Sequence, residues 1–170
     1  MLYGNILYHF EGRYLTIISD DYYIKKILFG KHELEEGVTL APEHPLLKEA
    51  AAQLTEYFNG QRTRFDLPIS PSGTAFQKSV WNGLLQIPYG QTWTYGQMAE
   101  YICNPKACRA VGGACHNNPI AIVIPCHRVI GAGGNLTGFG GGMPMKRWLL
   151  ELEQNHSTDL QEPSQTSPHP

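Results

Sequence analysis

One apolar run of the chain is interrupted at its centre: Ile122-Val123-Ile124-Pro125-Cys126-His127-Arg128-Val129-Ile130. Such a run predicts a buried strand that delivers a reactive group to a pocket. The thiolate is the reactive form of cysteine, and a basic neighbour such as His127 or Arg128 can activate Cys126. The alternative is a purely structural cysteine, because free cysteine is among the most buried residue types. The run alone leaves both interpretations open.

Length and composition indicate an ordinary soluble globular protein. The chain has 170 residues, 42% hydrophobic and 16% charged, which suits one large domain or two small ones. The sequence opens without a basic segment followed by an apolar one, and no run approaches the ~20 apolar residues that span a bilayer. We therefore expect a cytoplasmic protein with reduced cysteines. The cysteine separations lack the close pairs of common zinc sites, so we expect no metal, with structural zinc as the less favoured alternative.

The net charge of −2 hides an asymmetry along the chain. Residues 1–72 carry seven Lys and Arg against ten Asp and Glu, residues 73–153 carry six against three, and residues 154–170 carry none against two. The excess of positive charge in the middle segment suits a nucleic acid better than an acidic protein. Solvated protein faces often carry a similar excess, so charge alone identifies no partner.

The first 72 residues predict a small antiparallel sheet with one helix. Runs rich in β-formers at 14–19 and 22–29 form a hairpin, a short strand is expected over 5–9, and another over 65–67. Helical spacing begins at Pro45 and continues until Asn59 and Gly60 stop it. Residues 68–73 have the composition of a linker, which places a domain boundary after residue 72.

The second half predicts helices that begin at recognisable caps. Thr74 and Thr94, each followed three residues later by glutamine, are capping boxes, and Asn104 with Pro105 predicts the start of a third helix. The helices that start at Thr94 and at Asn104 fit a helix-turn-helix, although any helical hairpin gives the same pattern. Small residues around Arg109 favour a helix that lies close to DNA. A glycine-rich loop over 131–142 precedes a last helix, and residues 154–170 have the composition of a disordered tail.

Several separated motifs together resemble the O6-alkylguanine-DNA alkyltransferases. The motifs are Pro125-Cys126-His127-Arg128-Val129, Arg109-Ala110-Val111-Gly112-Gly113-Ala114, Asn118-Pro119, the glycine loop, and Lys146-Arg147-Trp148-Leu149-Leu150 with Glu153. The resemblance covers residues 73–153, and residues 1–72 are similar to the family's ribonuclease H-like domain. It implies an α/β (α+β) fold, in which a sheet-and-helix domain precedes a mainly helical domain with a helix-turn-helix. Some members bind zinc in the first domain through cysteines, which this chain lacks there.

The resemblance implies a suicide DNA repair protein without a cofactor. Such a protein binds double-stranded DNA through the minor groove, flips O6-alkylguanine out of the stack, and moves the alkyl group irreversibly to its own cysteine. Activity on O4-alkylthymine and cooperative binding to DNA stay open, and we expect a monomer in solution. The alternative is a non-enzymatic alkyltransferase-like protein that binds the lesion, a class that lacks the reactive cysteine.

The resemblance also implies a catalytic set. Cys126 would be the nucleophile, His127 would take its proton through a water, and Glu153 would orient the imidazole. Tyr95 would donate a hydrogen bond to guanine N3 and help the base to leave.

The implied DNA contacts lie on the second helix of the helix-turn-helix. Arg109 would fill the space of the flipped nucleotide, and Asn118 would tie this helix to the cysteine segment. The remaining expected DNA contacts are small side chains: Ala107, Cys108, Ala110 and Gly112.

The implied substrate pocket uses backbone groups and the glycine loop. The carbonyls of Cys126 and Val129 and the amide of Gly140 would read the guanine edge. Phe139 stands where many relatives carry tyrosine, which keeps stacking but loses a hydroxyl. Ala121 stands where some relatives carry proline, which leaves more room for bulky alkyl groups.

Overall fold

This computed structural model describes residues 1–9, 13–136 and 142–157. The chain forms two compact units, the first from Met1–Ser72 with Pro119–Ala121 and the second from Gly73–Asn118 with the chain from Ile122 onward. The division predicted from the sequence does not include the return of residues 119–121 to the first unit. Within the described residues, no helix has both the length and the apolar character needed to cross a bilayer.

The first unit is a mixed four-stranded sheet with one helix. Its strand order is β3-β2-β1-β4, where β1 is antiparallel to β2 and parallel to β4. The elements are β1 (Leu2–His9), β2 (Arg13–Ser19), β3 (Ile24–Phe29), β4 (Val38–Leu40) and α1 (Pro45–Phe58).

Local signals set both ends of α1. The His44 ring accepts a hydrogen bond from the Leu46 amide at 3.3 Å, and Pro45 occupies the first turn, where a missing N–H costs nothing. The helix ends before Asn59, as predicted, and Gly60 has a φ of 73° that favours glycine. The apolar stripe of α1 is buried and packs against β1 and β2.

The strand predicted over 65–67 is wrong. The amide of buried Gln53 takes the place of a neighbouring strand, because its Oε1 accepts from Asp66 N at 2.8 Å and its Nε2 donates to Asp66 O at 3.1 Å. Buried backbone N–H and C=O groups need hydrogen-bond partners, but a side chain can supply them as well as a neighbouring strand. Residues 65–67 therefore stay irregular. Ladder-like contacts to β3 occur instead at 68–70, through Ile24, and at 119–121, where Ile27 N donates to Pro119 O at 2.9 Å and Ala121 N donates to Ile27 O at 3.0 Å.

The second unit is mainly helical, which confirms the predicted α+β fold class. Both predicted capping boxes are present, at Thr74 and at Thr94. The elements are α2 (Ala75–Leu84), β5 (Trp93–Thr94), α3 (Tyr95–Tyr101), α4 (Cys108–His116), β6 (Val129–Ile130) and α5 (Met143–His156), with β5 parallel to β6.

Two helix limits differ from the prediction. The segment at Asn104 and Pro105 is a turn, and α4 begins only at Cys108, with Ala107 as its N-cap. At the other end, α5 continues to His156, so residues 154–156 are helical rather than part of a tail. Ser157 follows as a turn, and residues 158–170 of the predicted tail lie outside the described residues.

The segment around Cys126 is a turn rather than the predicted strand. Pro125 lacks the N–H that a ladder needs, and Cys126 N bonds back to Ile124 O at 2.8 Å. Cys126–Arg128 therefore forms one turn of 3₁₀-helix, and pairing resumes only at β6. Ile122 has a φ of 72°, an uncommon value for a β-branched residue, so the chain turns sharply on entering this segment.

Candidate active site

The 3₁₀ turn and α5 bring a cluster of polar groups into the interior of the second unit. Cys126, His127 and Arg128 are buried on the turn, and Lys146 and Glu153 are buried on α5. Lys146 and Glu153 are separated by two helical turns, so both share the face that also buries Leu149. Burial of charged side chains is stable only with partners, and each of these charges has one.

Glu153 is the centre of this cluster. Its Oε2 lies 2.6 Å from His127 Nε2 and 2.9 Å from Arg128 Nη2, while its Oε1 accepts from Arg128 Nε at 2.8 Å. The amide of Gly90 donates to the same Oε1 at 3.3 Å, and Arg128 Nη1 donates to Ile87 O at 2.7 Å. The paired Arg128 bonds hold the carboxylate in one plane and fix the oxygen that faces His127.

This geometry determines the tautomer of His127. A carboxylate only accepts hydrogen bonds, so Nε2 carries the hydrogen and the neutral ring keeps its lone pair on Nδ1. Nδ1 is buried and has no hydrogen-bond partner in the described part of the chain. The imidazole is therefore oriented with its basic nitrogen available for a proton.

Burial and charge set the protonation states of the cluster. Burial alone would raise the pKa of the Glu153 carboxyl, but His127 and Arg128 together hold that pKa well below its usual value. Burial lowers the pKa of His127 despite the opposing effect of Glu153. At neutral pH the structure thus holds a charged Glu153–Arg128 pair and a neutral imidazole.

The Cys126 thiol is protonated in the resting protein. Burial raises its pKa, while a hydrogen bond from the Asn118 side chain and the charge of Lys146 act in the opposite direction. Asn118 also donates through Nδ2 to Ile124 O at 2.8 Å and through its backbone to Cys115 O at 3.3 Å. It thereby joins the end of α4 to the segment that carries the thiol.

Lys146 connects β6 with the surroundings of the thiol. Its Nζ donates to Val129 O at 2.6 Å and lies 5.9 Å from the centroid of the Tyr95 ring. Burial lowers the pKa of Lys146, opposed by the nearby Cys126 and Cys115 thiols. The Cys126 carbonyl accepts from Val129 N and the Val129 carbonyl accepts from Lys146 Nζ, and a carbonyl oxygen has two lone pairs.

The predicted DNA contacts lie on the outer side of the second unit. Arg109, Cys108 and Ala110 are exposed in the first turn of α4, and its buried residues are Val111, Ala114 and Cys115. Gly112 approaches Tyr95, since a Cβ built at Gly112 would lie 3.8 Å from Tyr95 Cε1. This helix packs against α2 and α3 and leaves a surface of short side chains around one long cation.

The predicted pocket residues fall into different parts of the chain. Phe139 and Gly140 lie outside the described residues. Ala121 is buried in the first unit, where its amide bonds to Ile27. No group of three His, Cys, Asp or Glu side chains in the ranges 1–9, 13–136 and 142–157 is placed to hold a metal.

Comparison with known proteins assigns both halves of the chain to domains of one protein family. Residues 2–71 match the ribonuclease-like domain of 6-O-methylguanine DNA methyltransferase, and residues 75–155 match its DNA binding domain. A methylated-DNA–protein-cysteine methyltransferase of Methanosarcina acetivorans is 48% identical over 141 residues, which cover 82% of this chain and 90% of the relative. This chain belongs to the 6-O-methylguanine DNA methyltransferase family.

Other members of the methyltransferase family support the match. A relative from Mycolicibacterium paratuberculosis is 56% identical over 144 residues, covering 84% of this chain and 87% of that protein. The crystal structure of Mycobacterium tuberculosis OGT in complex with DNA has a TM-score of 0.85 and 42% identity, covering 91% of this chain and 94% of that one.

Sequence reasoning about this methyltransferase missed three contributions to the cluster. Arg128 pairs with Glu153, Lys146 reaches Val129 O, and the Gly90 amide reaches Glu153. The spacing of Lys146, Leu149 and Glu153 places two charges on the apolar face of one helix, and this signal predicts buried charges. The Gly90 contact joins residues 63 positions apart, so no local pattern indicates it.

Proposed function

We propose that this protein repairs O6-alkylguanine in double-stranded DNA by moving the alkyl group irreversibly to Cys126. The observation that carries this proposal is the buried Cys126 thiol beside a neutral His127, whose ring is fixed by Glu153 at 2.6 Å. Cys126 and His127 on the 3₁₀ turn supply a nucleophile and a base, and Glu153 on α5 supplies the group that orients the base. The family match to a DNA binding domain over residues 75–155 supplies the class of substrate.

In the proposed reaction, the thiol proton leaves through a water to His127 Nδ1. The thiolate attacks the alkyl carbon, a sulfur–carbon bond forms, and the carbon–O6 bond of the base breaks. Tyr95 donates to guanine N3 as negative charge develops on the base, and the proton from the thiol ends on guanine. A hydrogen bond from the Asn118 side chain and the charge of Lys146 support the transient thiolate, because both lower the pKa of Cys126.

Access to the alkyl carbon requires the nucleotide to leave the base stack. We propose that α4 contacts the minor groove through its exposed first turn and that Arg109 occupies the vacated space. Short side chains at Cys108 and Ala110 allow close approach of the backbone to DNA, which supports this placement. We further propose that the protein acts as a monomer in the cytoplasm, where its cysteines remain free thiols.

The non-enzymatic alkyltransferase-like alternative is not favoured. Proteins of that class bind the lesion but lack the reactive cysteine, whereas this chain holds Cys126 beside an oriented base. Relatives that match over most of the chain carry the name of a cysteine methyltransferase.

Intact-mass measurement tests the proposal directly. After incubation with duplex DNA containing O6-methylguanine, the parent should gain the mass of one methyl group, whereas Cys126→Ser should gain none because a serine hydroxyl supplies almost no anion at neutral pH. Cys115→Ser is the matched control and should still be methylated, because it keeps Cys126 and the His127 ring oriented by Glu153. A mass gain in Cys126→Ser would refute the assignment.

A further inference from the structure

A cavity of about 380 Å³ lies on the exposed face of α3, apart from the reacting cluster. Its lining consists of Trp93, Gln97, Glu100 and Tyr101, all within the second unit. Gln97, Glu100 and Tyr101 are three and four residues apart, so helical geometry places them on one side of α3. None of the four has a role in the proposed transfer of the alkyl group.

The two aromatic rings of this cavity are held in place by their surroundings. Their centroids are 5.2 Å apart with an angle of 47° between the ring planes, and Trp93 is fixed by the pairing of β5 with β6. The Tyr101 ring lies close to the backbone of α2, because a Cβ built at Gly83 would lie 3.4 Å from Tyr101 Cδ2, an ordinary van der Waals contact. The cavity therefore presents preformed ring surfaces.

The polar groups of the cavity carry a negative charge. Gln97 is positioned by the capping box, since its Oε1 accepts from Thr94 N at 2.8 Å. Glu100 is exposed and forms no ion pair with any residue that the structure describes. A carboxylate beside two aromatic rings repels phosphate and attracts a cation, so this face is unsuited to the DNA backbone.

We propose that this cavity binds an arginine side chain of a partner protein. A guanidinium stacks on aromatic rings and forms paired hydrogen bonds with a carboxylate, so it uses both features of the lining. Gln97, Glu100 and Tyr101 are exposed, so a free small molecule would keep much of its surface in water, whereas a protein side chain brings flanking contacts. Residues 158–170 of this chain contain no Lys or Arg and offer no such group.

Nuclear magnetic resonance of the full chain tests this proposal with blocked peptides as probes. Acetyl-glycyl-arginyl-glycinamide should shift the indole N–H resonance of Trp93, which Trp93→Phe identifies. The citrulline peptide has the same shape without the charge, and its effect should be about two- to fivefold smaller. Equal shifts from the two peptides would overturn the proposal.

Variants of the lining separate charge from shape. Glu100→Gln should reduce the response to the arginine peptide by about two- to fivefold, while methyl transfer stays at the parent rate. The control Glu151→Gln alters an exposed glutamate on α5 and should leave the response unchanged. A full response in Glu100→Gln would contradict the proposed carboxylate contact.

Two further measurements distinguish the source of the cation. Free arginine should shift Trp93 less than the blocked peptide, and an equal or larger effect would assign the cavity to a small molecule instead. The Trp93 signal of the protein alone should not change with protein concentration. A change on dilution would show that a second copy of this chain fills the cavity, which would also overturn the proposal.

Discussion

At the scale of single residues, Glu153 has two separable tasks. One carboxylate neutralises the buried Arg128 guanidinium and also fixes the His127 ring. Loss of one partner from a buried ion pair costs much more than removal of both, because the remaining charge is left without compensation. A stability defect and a chemical defect in a Glu153 variant therefore have different origins.

We expect Glu153→Gln to slow methyl transfer and to lower the free energy of unfolding by about 3–5 kcal/mol. The double variant Glu153→Gln/Arg128→Met removes the unpaired charge and should regain much of that stability, yet transfer should remain slow because His127 is still not oriented. Single-turnover rates and urea unfolding measure the two effects, with exposed Glu151→Gln as control. Recovery of the parent rate in the double variant would limit Glu153 to charge neutralisation.

His127 gives a second prediction at this scale, a dependence on pH. Burial lowers its pKa, so the base stays neutral below the ordinary value of about 6.5, and transfer should continue at about pH 6. The unfolded chain takes up a proton near pH 6.5 that the folded ring does not accept until lower pH. The free energy of unfolding should therefore fall as pH drops below about 6.5, by up to ~1.4 kcal/mol per pH unit from this group.

The depressed pKa of Glu153 acts in the same direction. Its stabilising effect is present above the unfolded value of about 4.3 and is lost as pH falls through its folded pKa. Single-turnover rates and urea unfolding between about pH 5 and 8 check the histidine effect, which His127→Gln isolates. Urea unfolding below about pH 4.3 checks the Glu153 effect. A rate that already falls at pH 7 would mean that the imidazole is not held neutral.

At the scale of elements, we propose that α4 separates handling of DNA from chemistry. Its first turn exposes Arg109, whereas its end is joined through Asn118 to the segment that carries Cys126. Arg109 thus lies at the N-terminal end of α4, and the segment that carries the Cys126 thiol is joined to its C-terminal end. Changes in the first turn should alter access to the lesion without altering the reacting groups.

Arg109→Ala should slow repair of duplex DNA strongly, because the vacated stack loses the group that offsets an unstacking cost of a few kcal/mol. The same variant should react with free O6-benzylguanine at nearly the parent rate, because a free base needs no flipping. Rates on both substrates at two salt concentrations make the test. A duplex defect that shrinks at low salt would indicate a phosphate contact, and equal slowing on both substrates would place Arg109 in the pocket.

At the scale of the whole molecule, the proposed reacting cluster of described residues holds one thiol, Cys126, and no group suited to regenerate it. A thioether resists hydrolysis, and His127 is a base suited to the thiol rather than to removal of an alkyl group. Each molecule is therefore expected to repair one lesion. The buried thiol also remains protonated at rest, which protects it from side reactions before the substrate arrives.

Titration of a fixed amount of lesion-containing duplex with protein checks this stoichiometry. Repaired DNA should rise linearly and end at one lesion per active molecule, with the active fraction taken from the methylated mass peak. Repair in excess of protein would demonstrate turnover and would contradict an irreversible acceptor.

Local signals in the sequence determined much of this protein. The capping boxes at Thr74 and Thr94, the limits of α1 and the fold class all follow from short patterns, because a helix start depends on neighbours within one turn. Several separated motifs together indicated the family, and each of them, such as residues 125–129, is a short run of neighbouring residues.

Only the tertiary structure decided the features that join distant residues. Gln53 replaces the strand expected at 65–67, Arg128 and Gly90 meet Glu153, and residues 119–121 pair with Ile27. The turn at Pro125 likewise replaces an expected strand. Backbone and charged groups must find partners when buried, but their sequence patterns do not say which distant group is nearest, since that depends on how the elements pack.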